Sequence, residues 1–208
     1  MWGEGENIMN ELSFFVSVWF KFFFLFTPFF ALSMFLSMTK GYPEPQRRKL
    51  AFQISGAVGV FCLVLFFFGD IVFSLLGITL DAFRVGAGVL LFLSAVSLAQ
   101  ISMTTSKLAS EEDIAVVPMA MPIIVGPATI GTLLVLGAEI PNAFMKGLGC
   151  VALLLAVASV GTILLMASLI ERIVGRRGLN ILSRLTGLIL AALAAQMILV
   201  GVKHFFSM

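Results

Sequence analysis

The sequence predicts an all-α membrane protein with six transmembrane helices. Of its 208 residues, 60% are hydrophobic and 12% are charged, against roughly 45–50% and about 25% in an ordinary soluble domain. A transmembrane helix needs about 20 apolar residues, so six of them fill most of the chain and leave no room for a separate soluble domain. The apolar stretches also lack the ten-residue alternation of barrel strands, so helices are the expected way to hydrogen-bond the backbone in lipid.

Six apolar stretches are long enough to span a bilayer. Short loops between them carry most of the Lys and Arg residues, nine on one side and four on the other. Because basic loops stay in the cytoplasm, the nine-residue side is predicted to be cytoplasmic and both termini to face outward. The predicted spans lie at about 12–38, 51–76, 82–101, 114–138, 144–169 and 181–202.

The two halves of the chain, about 12–101 and 114–202, resemble each other. At an offset of 99 residues, Thr27-Pro28 falls on Gly126-Pro127, and at an offset of 101 Gly86 falls on Gly187. A unit of three spans is odd, so two such units must lie in opposite orientations, as in many secondary transporters. The sequence therefore predicts a single transmembrane domain, residues 1–208, built from two inverted three-helix repeats.

Spans one and four each contain a proline near the middle of the membrane. Threonine or glycine suits an N-cap and proline suits the first helical position, so Thr27-Pro28 and Gly126-Pro127 predict helices that stop and restart at mid-membrane. The alternative is an ordinary proline kink, which neighbouring helices can accommodate. Pro118, Pro122 and Gly126 recur every fourth residue, which suits a close packing face or one wall of a path.

Two restarted helices in inverted repeats would point their N-termini at each other. Their positive dipole ends favour a carboxylate, and carbonyls freed at Phe24 and Ile123 would suit a cation or an ammonium group. The pattern therefore predicts a site for a zwitterion at the midplane. The candidate substrate-binding residues are Thr27, Pro28, Pro122, Gly126, Pro127, Ala128, Thr129 and Gln196.

Few charged residues lie at membrane depth. Lys21, Asp81, Arg84 and His204 are expected at the membrane interface, near the ends of their spans, whereas Asp70 fits either a helix end or an inward carboxylate. The chain contains no hydrolase, protease or nucleotide-binding motif, so no enzyme activity is expected. Cys62 and Cys150 lie in apolar runs and are expected to be buried hydrophobes. No cofactor, metal site or nucleic-acid partner is predicted.

Four segments resemble the MarC family of bacterial inner-membrane proteins: Val117–Pro122 with Gly126-Pro127, Phe68-Gly69-Asp70, Gly77–Thr79 leading to Phe83-Arg84, and Gly178–Asn180 leading to Ser183–Leu188. The resemblance covers nearly the whole chain. It implies a six-span protein of the inner membrane that transports small neutral amino acids such as glycine and alanine. Combined with the loop charges, an inner-membrane location puts both termini on the periplasmic side. Many relatives carry Asn-Pro where this chain has Thr27-Pro28, and Gly-Pro-Gly where it has Gly126-Pro127-Ala128.

The sequence therefore predicts a secondary transporter that works by alternating access on small neutral amino acids or similar zwitterionic solutes. Na⁺ and H⁺ are the candidate coupling ions, and the lipid bilayer and a small solute are the expected partners. Two alternatives stay open: a passive channel or facilitator, and a membrane scaffold that transports nothing. The sequence gives no indication of the oligomeric state.

Overall fold

A computed structural model of the protein describes residues 3–100, 125–140 and 142–206. This part of the chain is helical, and its connections are short. The helices are α1 (Gly3–Leu25), α2 (Pro28–Met38), α3 (Glu44–Leu76), α4 (Leu80–Gln100), α5 (Pro127–Glu139), α6 (Ala143–Leu165) and α7 (Ala167–Phe206).

Five stretches of the described chain are long and apolar enough to cross a membrane. The first comprises most of α1 and all of α2, and α5 is a shorter apolar helix of 13 residues. Five of the six predicted spans therefore have a full helical counterpart, while residues 114–124 of the predicted fourth span lie outside the described residues. The five stretches are Glu11–Met38, Glu44–Gly69, Leu80–Gln100, Ala143–Leu165 and Ala167–Phe206.

Two glycines with positive φ mark the ends of long helical segments. Gly77 (φ 63°) terminates α3, and Gly175 (φ 67°) interrupts α7. Because a side chain is strained in this conformation and glycine is not, these positions allow the chain to turn between spans. The last span therefore starts after Gly175, close to the predicted start at about 181, and the residues from Ala167 to Val174 form a separate helical segment.

Helices α4 and α7 pack antiparallel at very close range along small residues. A Cβ atom added to Gly187 would lie 2.9 Å from the carbonyl oxygen of Ala95, and one added to Gly88 would lie 3.2 Å from that of Ala194. Small residues let two backbones approach each other in a membrane. Close backbone contacts between the two helices recur every seven residues along each helix. They pair Asp81 with Gly201, Gly88 with Ala194 and Ala95 with Gly187.

A second helix pair consists of α3 and α6, and α5 bridges the two pairs. Gly161 of α6 lies against Ser55 of α3, where an added Cβ would be 2.7 Å from the serine hydroxyl. Helix α5 packs on α3 where Gly137 meets the backbone of Phe66. On its other side α5 contacts α4, and α2 contacts α7. The half-length helices α2 and α5 thus lie beside the α4–α7 pair.

The side chains are apolar both inside and outside. A single cluster of buried residues includes Phe22, Phe26 and Phe66, each fully buried. Large hydrophobic side chains also cover the outer surface, which is typical of a protein surrounded by lipid rather than water. Among the most exposed of them are Leu75, Ile173, Leu188 and Leu199.

The two ends of the helix bundle have different polar contacts. At one end the start of α4, the end of α5 and the end of α7 meet at Arg84. At the opposite end the Ser168 hydroxyl donates to Glu44 Oε1 at 2.6 Å, and Arg47 Nε donates to the Thr39 carbonyl at 3.1 Å. The charge pattern of the loops predicts that the Arg84 end faces outward.

Candidate functional site

The break predicted in the first span is present at Thr27. This residue has a left-handed backbone (φ 46°, ψ 57°), and Pro28 occupies the first position of α2. The first helical hydrogen bond of α2 joins the Ala31 amide to the Thr27 carbonyl at 2.9 Å. Helix α2 therefore starts anew inside the span, and the amides of Phe29 and Phe30 precede its first helical hydrogen bond.

A second helix starts at the corresponding place in the other half. Gly126 is extended (φ −77°, ψ 175°), Pro127 is the first residue of α5, and the Ile130 amide donates to the Gly126 carbonyl at 3.0 Å. The helix start predicted at Gly126-Pro127 is therefore present, while the part of the predicted span before Val125 lies outside the described residues. The predicted site residue Pro122, together with Pro118, lies outside the described residues.

Thr27 occupies the N-cap position of α2 as expected, but two details of the first break differ from the prediction. The carbonyl of Phe24 is not free for a cation, because it accepts the Thr27 amide at 2.9 Å as the chain tightens at the end of α1. The Thr27 side chain does not cap α2. An N-cap side chain reaches the helix amides from an extended backbone, and the left-handed backbone of Thr27 does not provide that geometry. The second predicted free carbonyl, that of Ile123, lies outside the described residues.

The start of α5 is polar and buried. Thr129 and Thr132 are 5% and 7% exposed, and Ala128 is buried beside them. The Thr132 hydroxyl donates to the Ala128 carbonyl at 2.8 Å. Thr27 and Gly126 are half-buried, Pro28 is buried and Pro127 is exposed. The structure therefore places most of the candidate residues at two helix starts, and Ala128 belongs to the buried cluster that also contains Leu91 and Leu190 of the α4–α7 pair.

Gln196 does not join these residues. Its side chain is exposed on α7, where Ala194, two positions away, is buried against α4. Residues two apart on a helix point to different faces, so Gln196 lies away from the α4 contact, and its role in substrate binding stays a prediction.

A groove of about 640 Å³ runs between α4 and α5. It extends from Ile78, near the start of α4, to Pro127 at the start of α5, and Phe83, Leu90 and Ile130 form part of its wall. All of its lining residues are apolar. The groove is therefore an apolar surface depression along the α4–α5 contact, and it offers no charged group to a zwitterion.

Arg84 lies one turn into α4, near the end of its span as expected, and its side chain is buried against neighbouring helices. Its Nη1 lies 2.6 Å from Asp81 Oδ1, and its Nε donates to Glu139 Oε1 at 2.7 Å. Nη2 approaches the same Glu139 oxygen at 2.5 Å, and His204 Nδ1 is 3.5 Å from Asp81. The guanidinium group can lie at the edge of the membrane domain because two carboxylates pair with it.

Sequence reasoning missed Glu139. Its carboxylate ends α5 and pairs with Arg84, 55 positions earlier in the chain. The sequence did contain one indication of this pairing. The topology predicted from the loops puts the end of span four and the start of span three on the same side of the membrane. The direct pairing of the two residues depends on α5 packing beside α4, which no local pattern reveals.

The chain resembles a group of membrane proteins along almost its whole length. The profile of the MarC family integral membrane proteins matches residues 12–206. A UPF0056 membrane protein of Aquifex aeolicus is 32% identical over 200 residues, which cover 91% of this chain and 92% of the relative. The UPF0056 membrane protein MJ1677 of Methanocaldococcus jannaschii is 32% identical, with 93% of this chain and 98% of the relative covered.

The UPF0056 inner membrane protein YhgN of Escherichia coli K12 is also 32% identical, and the match covers 94% of this chain and 98% of that protein. No solved structure matches the chain. The match to the family profile spans all of the described helices from within α1 to the end of α7. The extent of this match agrees with the multi-span helical fold. The chain therefore belongs to the MarC family of integral membrane proteins.

Proposed function

We propose that the protein is a secondary transporter for small neutral amino acids or similar zwitterionic solutes in the inner membrane. Its relative YhgN is named an inner membrane protein. One observation carries the proposal. Two half-length helices start inside the bundle, at Pro28 and Pro127, and these prolines are 99 residues apart. Paired discontinuous helices of this kind form the binding sites of many secondary transporters.

The packing of α4 on α7 supports an inverted repeat with the same offset of 99 residues. This offset takes Gly88 to Gly187 and Ala95 to Ala194. Gly88 lies against Ala194, and Gly187 lies against Ala95, so exchanging the two halves converts one contact into the other. A two-fold axis between the halves has this property.

The offset of 101 residues fits less well. It would pair Gly187 with Gly86, yet an added Cβ on Gly86 would meet nothing within 4 Å. Under the 99-residue offset the axis passes between Leu91 and Leu190, which are 2% and 1% exposed. The two halves would then have opposite orientations in the membrane, as an odd number of spans requires.

Such a fold suits alternating access. The α4–α7 pair and the α3–α6 pair each consist of one helix from each half, and the half-length helices α2 and α5 lie between them. In inverted-repeat transporters one bundle rocks against the other around a fixed central site. The helix starts at Pro28 and Pro127 would provide that site.

The helix starts also indicate the chemistry of the cargo. The first amides of a helix carry a partial positive charge and attract an anionic group. The buried residues Ala128 and Thr129 would bind a substrate carboxylate through their backbone amides, and the Thr129 side chain adds a polar group there. At the first break Phe29 and Phe30 follow Thr27-Pro28 in the first turn of α2, and their bulk would restrict the space for a substrate there. A small amino acid fits this combination better than a large one.

Uptake by proteoliposomes tests the proposal. We expect saturable uptake of radiolabelled alanine or glycine, with counterflow when the vesicles are preloaded with unlabelled substrate. Pro28→Ala and Pro127→Ala should each lower uptake about tenfold, because they remove the preset start of a half-length helix. Pro45→Ala is the matched control, since Pro45 is exposed in the first turn of α3. Wild-type uptake in the double variant Pro28→Ala/Pro127→Ala would contradict the proposed site.

A membrane scaffold without transport is the second candidate, and the packing near the first break favours it. Phe22, Phe26 and Leu32 are fully buried there, so a tightly packed apolar region surrounds Thr27. The same vesicles separate the two functions, because a scaffold gives neither saturable uptake nor counterflow with any amino acid.

A further inference from the structure

The ion pair between Arg84 and Glu139 joins two packed units of the bundle. Arg84 belongs to α4, which packs on α7 through Gly88, and Glu139 ends α5, which packs on α3 through Gly137. The side chain of Arg84 is 7% exposed and that of Glu139 is 33% exposed. Separation of α5 from α4 at this end would therefore have to break a largely buried ion pair.

The pair also ties α5 to a larger charge cluster. Asp81, one turn before Arg84, holds the guanidinium from the other side at 2.6 Å, and His204 of α7 lies 3.5 Å from Asp81. Asp81 and Arg84 both belong to α4 and His204 to α7, so Glu139 is the member of the cluster that α5 contributes. Its carboxylate is the group whose loss would release α5.

The opposite end of the bundle carries different residues at the equivalent positions. The 99-residue offset takes Arg84 to Ser183 and Glu139 back to Lys40. The Ser183 hydroxyl donates to the Leu179 carbonyl in its own helix at 2.9 Å, and Lys40 is exposed. A serine and a lysine form no ion pair, so these two positions cannot reproduce the Arg84–Glu139 contact.

We propose that the Arg84–Glu139 ion pair is a clamp that holds closed the end of the protein at which α4 begins, the end predicted to face outward. Release of the clamp lets α5 move away from α4 and opens a path from that side to the buried start of α5. The inference rests on the proposed function, because it assumes that the two ends open in turn. Breaking a buried pair leaves an uncompensated charge, so the clamp favours the closed outer end.

Cysteine labelling tests the clamp without any substrate. Thr132, which is 7% exposed and lies two turns from Glu139 along α5, is replaced by cysteine in a chain carrying Cys62→Ala and Cys150→Ala. A membrane-impermeant maleimide is added separately to right-side-out and inside-out vesicles. Glu139→Gln should raise the labelling rate about tenfold from the outer side alone, since it removes the charge that pairs with Arg84.

A matched control is available at the opposite end. Glu171 pairs with Arg176 at 3.2 Å and its side chain is 32% exposed, close to the value for Glu139. Glu171→Gln should leave outer labelling unchanged. A second chain that keeps Cys62, which is fully buried in α3, reports unfolding, and its labelling should not rise in Glu139→Gln.

Arg84→Lys provides a second test that retains a positive charge and avoids a buried unpaired carboxylate. It should raise outer labelling about threefold, because an ammonium group cannot make the two contacts of the guanidinium with Glu139. Unchanged outer labelling in Arg84→Lys, or an equal rise from both sides in either variant, overturns the clamp. If labelling responds as expected while no amino acid is taken up, the clamp stands and the proposed cargo is wrong.

Discussion

Gly187 of α7 lies directly against the main chain of Ala95 in α4, where an added Cβ atom would be 2.9 Å from the carbonyl oxygen. Gly88 meets Ala194 in the same manner from the other helix. The distance between α4 and α7 therefore depends on the absence of side chains at these two glycines. Since α4 and α7 pack together more extensively than any other two described helices, their separation affects much of the fold.

Gly187→Ala should lower the thermal unfolding midpoint of the purified protein. The added methyl group would overpack the α4–α7 contact, at a cost of about 1–3 kcal/mol. Gly86→Ala is the control, because an added Cβ there meets nothing within 4 Å, and alanine is the better helix former. Equal midpoints for the two variants would contradict the close approach of α4 and α7. Differential scanning fluorimetry in detergent measures both.

Gly137→Ala should be the most damaging glycine replacement. Its added methyl group would overlap the carbonyl of Phe66 in α3, a backbone atom that cannot move aside as a side chain can. We expect a loss of about 3 kcal/mol or more, at the upper end for overpacking, and a large drop in folded protein recovered by gel filtration. Gly147→Ala on α6, where an added Cβ meets nothing within 4 Å, should be recovered like the wild type.

Replacement of Arg84 should cost far more than replacement of an arginine in an exposed pair. Arg84→Ala leaves Asp81 and Glu139 without their shared cation, and we expect a loss of about 2–3 kcal/mol, near the lower limit for a broken buried pair because Glu139 is partly exposed. The pair Arg48–Glu44 has side chains 69% and 57% exposed, so Arg48→Ala should change stability by less than about 0.5 kcal/mol. Equal losses in thermal unfolding would contradict the burial of Arg84.

Replacement of Thr27 tests the left-handed backbone between α1 and α2. Asparagine tolerates this conformation better than a β-branched residue does, so Thr27→Asn should raise the unfolding midpoint by the equivalent of about 1 kcal/mol. Thr27→Val should have little effect, because the threonine side chain does not cap α2. A loss in Thr27→Asn, or a large loss in Thr27→Val, would indicate that the hydroxyl has a role of its own.

Much of the fold could be predicted from the chain, because membrane spans are local features. Long apolar stretches and the loops between them depend on composition alone. The start of α3 at Glu44, before the predicted start at about 51, was harder to predict because its first turns are polar and extend beyond the apolar stretch. The proline breaks were also local, since proline removes a helix amide wherever it occurs.

The site was less predictable, because its chemistry depends on contacts between distant segments. Thr129 was correctly expected at a helix start, but nothing near Gln196 in the chain indicates which face of α7 lies against α4. The pairing of Arg84 with Glu139 likewise requires knowledge of which helices are neighbours. Asp70 lies in α3, but its side chain is outside the part of the chain that the structure describes. Its placement at a helix end and its role as an inward carboxylate therefore both stay predictions.

Exchanging the two halves of the chain turns the Gly88–Ala194 contact into the Gly187–Ala95 contact. This symmetry bears on the origin of the protein. A surface that meets its own equivalent is isologous, the arrangement of a symmetric dimer. Under the proposed inverted repeat, an ancestral polypeptide of half this length, inserted in both directions, would have joined a second copy of itself through this same contact. Fusion of the two genes would then have allowed the halves to diverge, so that an arginine persists in one and a serine in the other.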